Sequence, residues 1–137
     1  MSITNGSGLT ISHGCFNGSF ASFDTLRCVW ADMAGYGIVQ WHGGVMPNIA
    51  FDRFTPEDFA GEWPNGAPDD PLIIVLAHDE SEGRIKWQHA PYLADRLDGI
   101  AEHMMKFGNM MAWTLLTQQF SRGLRTAASY RQDVTFE

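Results

Sequence analysis

The stretch Leu72-Ile73-Ile74-Val75-Leu76-Ala77 decides how the rest of the chain is arranged. It is an unbroken apolar run, rich in β-branched residues, with Pro71 before it and the polar loop His78-Asp79-Glu80-Ser81-Glu82-Gly83 after it. β-Branched side chains suit extended backbone. A run without polar alternation is expected where both faces of a strand are covered. Residues 72–77 are therefore predicted to form a central strand, with the polar loop leaving its carboxyl end.

Upstream, Leu9-Thr10-Ile11-Ser12 alternates apolar and polar residues and is predicted as a strand beside the central one. The segment His13-Gly14-Cys15-Phe16-Asn17-Gly18 reads as a glycine-rich loop, and Ser19 as the N-cap of a helix. Phe20, Phe23, Leu26, Trp30 and Met33 recur at three- and four-residue spacing, one apolar face of that helix, and Gly35 is placed to stop it. Gly37-Ile38-Val39-Gln40-Trp41 is predicted as a strand ending at Gly43-Gly44. Thr55-Pro56-Glu57-Asp58 carries a helix-start signal, and the Pro- and Gly-punctuated residues 63–71 read as a loop. Downstream, Arg84-Ile85-Lys86-Trp87 reads as a short strand. Pro91 opens a second helix, with Leu93, Leu97, Ile100 and Met104 on one face. After a break at Phe107-Gly108-Asn109, a third helix runs over about residues 110–128, with Trp113, Leu116, Phe120, Leu124 and Ala127 in a stripe. The tail Val134-Thr135-Phe136-Glu137 alternates and is expected to dock as a final strand. The expected fold class is α+β: a small mixed β-sheet packed against three helices, at residues 19–34, 91–105 and 110–128. Residues 9–137 form a single domain behind a flexible N-terminus, residues 1–8.

Composition narrows the function classes. A chain of 137 residues is one domain by length. Its 45% hydrophobic content, with 5 Trp and 9 Phe, excludes a disordered chain. The formal net charge of -7 repels phosphate backbones, so no nucleic acid polymer is expected as a partner. A small anion can still be held by a local nest of backbone N–H groups. No apolar stretch reaches the length of a membrane span and the first residues do not read as a secretory signal, so a cytoplasmic protein without membrane contact is expected. The two cysteines, Cys15 and Cys28, form no CxxC, which speaks against the usual thiolate zinc site.

Four places carry candidate chemistry. Asn17, Gly18 and Ser19 precede a helix N-terminus, where free N–H groups and the positive dipole end attract phosphate or carboxylate. Trp41 would stack on a ring-bearing ligand. The pattern is neither a P-loop nor a dinucleotide fingerprint, and the plain alternative is an ordinary connection. Cys15 lies two residues from His13, a spacing that turns both side chains the same way on an extended segment. That makes them a candidate nucleophile and base, with His78 or His89 as other bases; the alternative is an inert thiol. His78, Asp79, Glu80 and Glu82 offer ligands for a divalent metal, with His89 or His103 to complete the set. Their spacing is not that of an EF-hand and no HExxH occurs; the alternative is a solvated hairpin loop turned by Gly83. Met104, Met105, Phe107, Met110, Met111, Trp113, Leu115 and Leu116 wrap beyond a single helix face. They read as core, or as the interface of a homodimer or of a complex with a host protein.

Three segments also carry a resemblance. They are Ser12-His13-Gly14-Cys15-Phe16-Asn17-Gly18-Ser19-Phe20 with Phe23; Asp70-Pro71-Leu72 through His78-Asp79 to Gly83 and Ile85; and Phe120-Ser121-Arg122-Gly123-Leu124 with Ala127, Ala128, Val134 and Phe136. Together, over about half the chain, they resemble small proteins of unknown function carried by bacteriophages and prophages. The resemblance brings no catalytic residue. It implies an accessory role, such as sequestering a small host signal or blocking a host protein. The leading expectation is thus an accessory protein that binds a small anionic, nucleotide-like ligand without turnover. The alternatives are a metal- or cysteine-dependent hydrolase and an oligomeric interaction or inhibitor protein.

Overall fold

The computed structural model describes residues 8–41, 44–48, 70–76 and 84–137. In chain order these hold β1 (Gly8–Ile11), β2 (Phe16–Ser19), α1 (Phe20–Met33), β3 (Ile38–Trp41), β4 (Gly44–Pro47), α2 (Ile73–Leu76), β5 (Arg84–Ile85), α3 (Ala90–Met104), α4 (Met111–Ser129) and β6 (Val134–Thr135). The protein is an α+β single domain, as the sequence predicts. The expected N-terminal segment before Gly8, the Thr55-Pro56 helix start, residues 63–69 of the expected loop and Ala77 lie outside the described residues.

All strand pairs among the described residues are antiparallel. β1 pairs with β2 in a hairpin, with Ile11 opposite Phe16. On its other side β1 meets the C-terminal tail. Thr10 and Glu137 exchange backbone hydrogen bonds at 3.1 and 2.8 Å, Ser12 N donates to Thr135 O at 2.9 Å, and Ile11 bridges to Phe136. β6, in that tail, pairs with β5. The order across is therefore β2, β1, tail, β5, and the tail docks as a strand as expected. β3 and β4 form a separate hairpin that packs against α1.

Two expectations are corrected. Residues 72–76 are not part of a central strand: Ile73–Leu76 is a single helical turn. Ile73 N and Ile74 N donate to Asp70 O and Pro71 O, and Val75 N and Leu76 N both donate to Leu72 O. The Asp70 carboxylate accepts the Leu72 N–H at 3.1 Å, which starts the turn. Leu72, Ile73, Ile74, Val75 and Leu76 are all buried. Complete burial is what an unbroken apolar run encodes, and it does not separate strand from helix. Residues 13–18 are likewise not a loop that cradles a helix start. Cys15 N donates to Ser12 O at 3.2 Å, and the two residues between, His13 and Gly14, have φ 62 and 75. Positive φ at both central positions marks a type I′ hairpin turn, and residues 16–19 form its second strand.

The core centres on Phe23 of α1. Its ring lies 5.3 Å from that of Phe16, 6.2 Å from Phe120, stacked, and 5.9 Å from Phe136, so one side chain ties β2, α4 and the tail together. Trp30 packs edge-on against Phe120, and its indole N–H donates to Thr117 Oγ1 at 2.8 Å, which satisfies the buried donor. Leu93, Leu97, Ile100 and Met104 of α3 are buried, as their spacing predicts. α3 and α4 pack as an antiparallel pair, laced by Arg125 to Asp95 and Asp98 and by Ser121 to Asp98. Gly123 of α4 is where the hairpin seats: a Cβ there would lie 2.5 Å from Cys15 Sγ and 2.8 Å from both Cys15 Cα and Cys15 N.

Candidate functional site

Hairpin turn, tail and the end of α4 meet at one corner. α4 ends in a Schellman-type closure: Gln132 N donates to Ala127 O and Arg131 N to Ala128 O. Arg131 occupies the left-handed position, with φ 53, that glycine usually fills. The same closure ends α1, where Gly35 with φ 91 does hold that place. The Arg131 guanidinium lies over the Trp87 ring, 5.9 Å from its centroid. Trp87 is fixed from behind, since its backbone N–H donates to Asp133 Oδ1 at 2.9 Å. Arg84 reaches Asp133 at 3.6 Å, and Lys86 lies between Arg84 and Trp87 in the chain. Arg84 and Arg131, two of the nine Lys and Arg residues of a chain with net charge -7, thus stand at this corner, with the Asp133 carboxylate beside them.

His13 joins the turn to the same corner. Its Nε2 is 2.8 Å from Gln132 Oε1, and its Nδ1 is 2.9 Å from Ser12 Oγ. With Gln132 accepting, Nε2 carries the ring proton and Nδ1 accepts from the Ser12 hydroxyl. Ser12 Oγ in turn accepts the Thr135 backbone N–H at 2.9 Å. Among the described residues, His13 and Arg131 are the non-glycine residues with positive φ, and both stand here.

The remaining candidates fare differently. Asn17 and Gly18 lie within β2, opposite Thr10 and Leu9. Thr10 donates to Asn17 Oδ1 at 3.4 Å, and the Phe16 ring crowds the position of a Cβ on Gly18. Ser19 is the N-cap of α1, as predicted, accepting from Ser22 N at 3.0 Å and donating to Ser22 Oγ at 2.9 Å. One N–H of the helix start is therefore taken by the Ser19 side chain. Trp41 ends β3, opposite Gly44.

Cys15 is buried against Gly123, and burial pushes its thiol up to about 12. At neutral pH it is protonated and covered, so the structure places an inert thiol where a nucleophile was a candidate. His13 bonds instead to Ser12, a partner that the cysteine reading overlooked. Burial likewise raises Cys28, ahead of the opposing influence of Arg27. His78, Asp79, Glu80 and Glu82 lie outside the described residues. Among the described residues no group of three or more His, Cys, Asp or Glu is placed to hold a metal ion, and no helix is long and apolar enough to cross a membrane. Met104 is buried, whereas Met105, Phe107, Met111 and Leu115 are exposed, so the methionine-rich stretch is core on one side and open surface on the other.

Comparison with protein-family models, with curated proteins and with solved structures gives no match for this chain.

Proposed function

We propose that the protein is a binding module for a small phosphate- or carboxylate-bearing molecule, nucleotide-like in character, held at the corner of His13, Arg84, Trp87 and Arg131. The observation that carries this reading is the coincidence of strain and charge. His13 and Arg131 both keep a left-handed backbone that Gly or Asn would adopt at less cost, and both do so where cations collect on an acidic protein. Strained residues held in place by their surroundings cluster at active sites and ligand clamps. Arginine is suited to the role, because its planar fork matches phosphate and carboxylate oxygens. An accessory role of the kind found in bacteriophage proteins fits such a module, through the resemblance of the hairpin and of α4.

The test uses Arg131→Gly. Relief of left-handed strain offsets the lost cation–π contact, so the unliganded variant stays within about 1 kcal/mol of wild type. With adenine nucleotides and inorganic phosphate as probes, thermal unfolding of the wild type rises with ligand and that of Arg131→Gly does not. Ser19→Ala loses about 1 kcal/mol of helix-cap stability and keeps the ligand response. Loss of the response in Ser19→Ala alone returns the site to the start of α1.

A second reading is favoured by the exposure of Met105, Phe107, Met111 and Leu115 together at the α3–α4 turn. The partner that fits is a second copy of the chain. Lys106 and Glu102 flank the patch with opposite charge, so two copies related by a two-fold axis that passes between these residues bring unlike charges together.

A further inference from the structure

We propose that Ser12 is a nucleophile for acyl transfer, with His13 as its base and Gln132 positioning the base. Three distances define the arrangement: Ser12 Oγ to His13 Nδ1 at 2.9 Å, His13 Nε2 to Gln132 Oε1 at 2.8 Å, and Thr135 N to Ser12 Oγ at 2.9 Å. A hydroxyl bonded to an imidazole that a third group orients is the geometry by which serine is activated. The Thr135 N–H occupies one lone pair of Ser12 Oγ, which turns the hydroxyl hydrogen toward His13 Nδ1. That same N–H favours negative charge on the oxygen as the proton leaves. Closing the hairpin does not require any of this. The Thr135 bond to Ser12 already ties turn to tail, and Asn or Gly at position 13 would make the type I′ turn with less strain. The left-handed backbone that the turn imposes on His13 aims the ring at Ser12 on one side and Gln132 on the other. Ser12 and His13 are both part-exposed.

The substrate class is a carboxylic ester carrying an anionic group; this choice rests on the corner being an anion site, whereas the nucleophile does not. Ser12 Oγ bonds to the acyl carbon while its proton passes to His13 Nδ1. The C–O bond to the leaving alcohol breaks, and the alcohol takes that proton. Water then adds to the acyl-serine, giving a proton to His13 Nδ1. The Ser12 ester bond breaks and Ser12 recovers the proton, so ester plus water become acid plus alcohol. Positive charge from Arg131 and Arg84 at the corner favours the anionic group of the substrate.

The full chain is incubated with a fluorophosphonate, which loses fluoride as it bonds to an activated serine, and the adduct is located by peptide mass spectrometry. Separately, hydrolysis of 4-nitrophenyl acetate and of the 4-nitrophenyl monoester of succinate is followed. Wild type is labelled at Ser12, and His13→Asn, which tolerates positive φ, loses labelling and hydrolysis by about 100-fold or more. Gln132→Met lowers the rate and moves the acid limb of its pH profile, and Gln132→Glu restores the rate and moves that limb the opposite way, because a carboxylate favours the protonated imidazole. If Ser12→Ala fails to fold, Ser12→Cys replaces it: iodoacetamide then reacts at residue 12, with Cys15 and Cys28 buried, and more slowly when His13 is Asn. No adduct at Ser12, or equal labelling with and without His13, overturns the proposal. Labelling at Ser12 without preference for the succinate ester overturns the anion-site reading and upholds the nucleophile. Nucleotide-dependent stabilisation without labelling does the reverse.

Discussion

At the residue scale, the chain uses glycine in two different ways, and substitution separates them. Gly123 has Cys15 backbone atoms at 2.8 Å from the place of a Cβ, so the hairpin must move if one is added. Gly123→Ala is expected to lose about 3 kcal/mol, the upper range for overpacking, measured as a fall in the urea midpoint. Gly99, exposed within α3, has nothing within 4 Å of that place. Gly99→Ala is expected to gain about 1 kcal/mol in the same experiment, from helix propensity and a less flexible unfolded chain. Neither role is visible in sequence, where both are single glycines in helical periodicity. Gly35 was legible, because a glycine just past the last apolar position of a helix has one common use. Ser19 was legible for the same local reason. His13 was legible as chemistry but not in its partner. The pairing with Cys15 assumed extended backbone, and the positive φ of His13 turns its ring toward Ser12 instead.

At the element scale, α2 depends on a single carboxylate. Asp70 is buried and accepts from Arg96 Nε at 2.9 Å, Arg96 Nη2 at 3.3 Å, Tyr36 Oη at 2.7 Å and Leu72 N at 3.1 Å. It thereby fastens the one-turn helix to α3 and to the end of α1. Burial pushes the carboxyl up, but the hydrogen bonds from Arg96, Tyr36 and Leu72, with the Arg96 charge, outweigh it and hold it below the ordinary 3.8. The folded protein therefore binds this proton less readily than the unfolded chain. The resulting stability is present in full above the unfolded value and is lost as pH falls through the folded one. Urea midpoints measured from pH 7 downward are expected to fall in acid, and the part due to Asp70 to be missing from Asp70→Asn. That variant is expected to lose about 3 kcal/mol at pH 7, as for removal of one partner of a buried pair. Here the sequence reading was right about burial and wrong about shape. Four- to six-residue apolar runs have too few turns to show a period, and the deciding contact comes from Arg96, far along the chain. Longer elements were legible: α1, α3 and α4 each repeat their apolar stripe over several turns, and the tail and β5 alternate. The β1–β2 hairpin was not, because Ser-His-Gly-Cys lacks the Asn-Gly or Asp-Gly pair that announces a type I′ turn.

At the scale of the whole molecule, α4 separates two surfaces. Its start carries Met111 and Leu115 beside Met105 and Phe107, and its end leads into Arg131 and Gln132. Nineteen helical residues span about 27 Å, so association through the first surface leaves the corner at the other end open. Electrostatics shapes which surface can associate. Two copies each carrying -7 repel over most approaches, and the apolar patch with Lys106 and Glu102 at its rim is a local exception. Contact there also removes exposed methionine and phenylalanine from water, at roughly 25 cal/mol per Å² of apolar surface. Sedimentation analysis over a range of concentrations is expected to show a monomer–dimer equilibrium that salt strengthens, because screening weakens the net repulsion more than the apolar contact. Leu115→Glu adds like charge to both facing copies and is expected to leave only monomer, while nucleotide-dependent stabilisation at the corner is unchanged. A monomer in wild type at all concentrations overturns the self-association reading. A dimer that Leu115→Glu leaves intact shows that the copies meet elsewhere, and the patch is then exposed core-type surface at a helix turn.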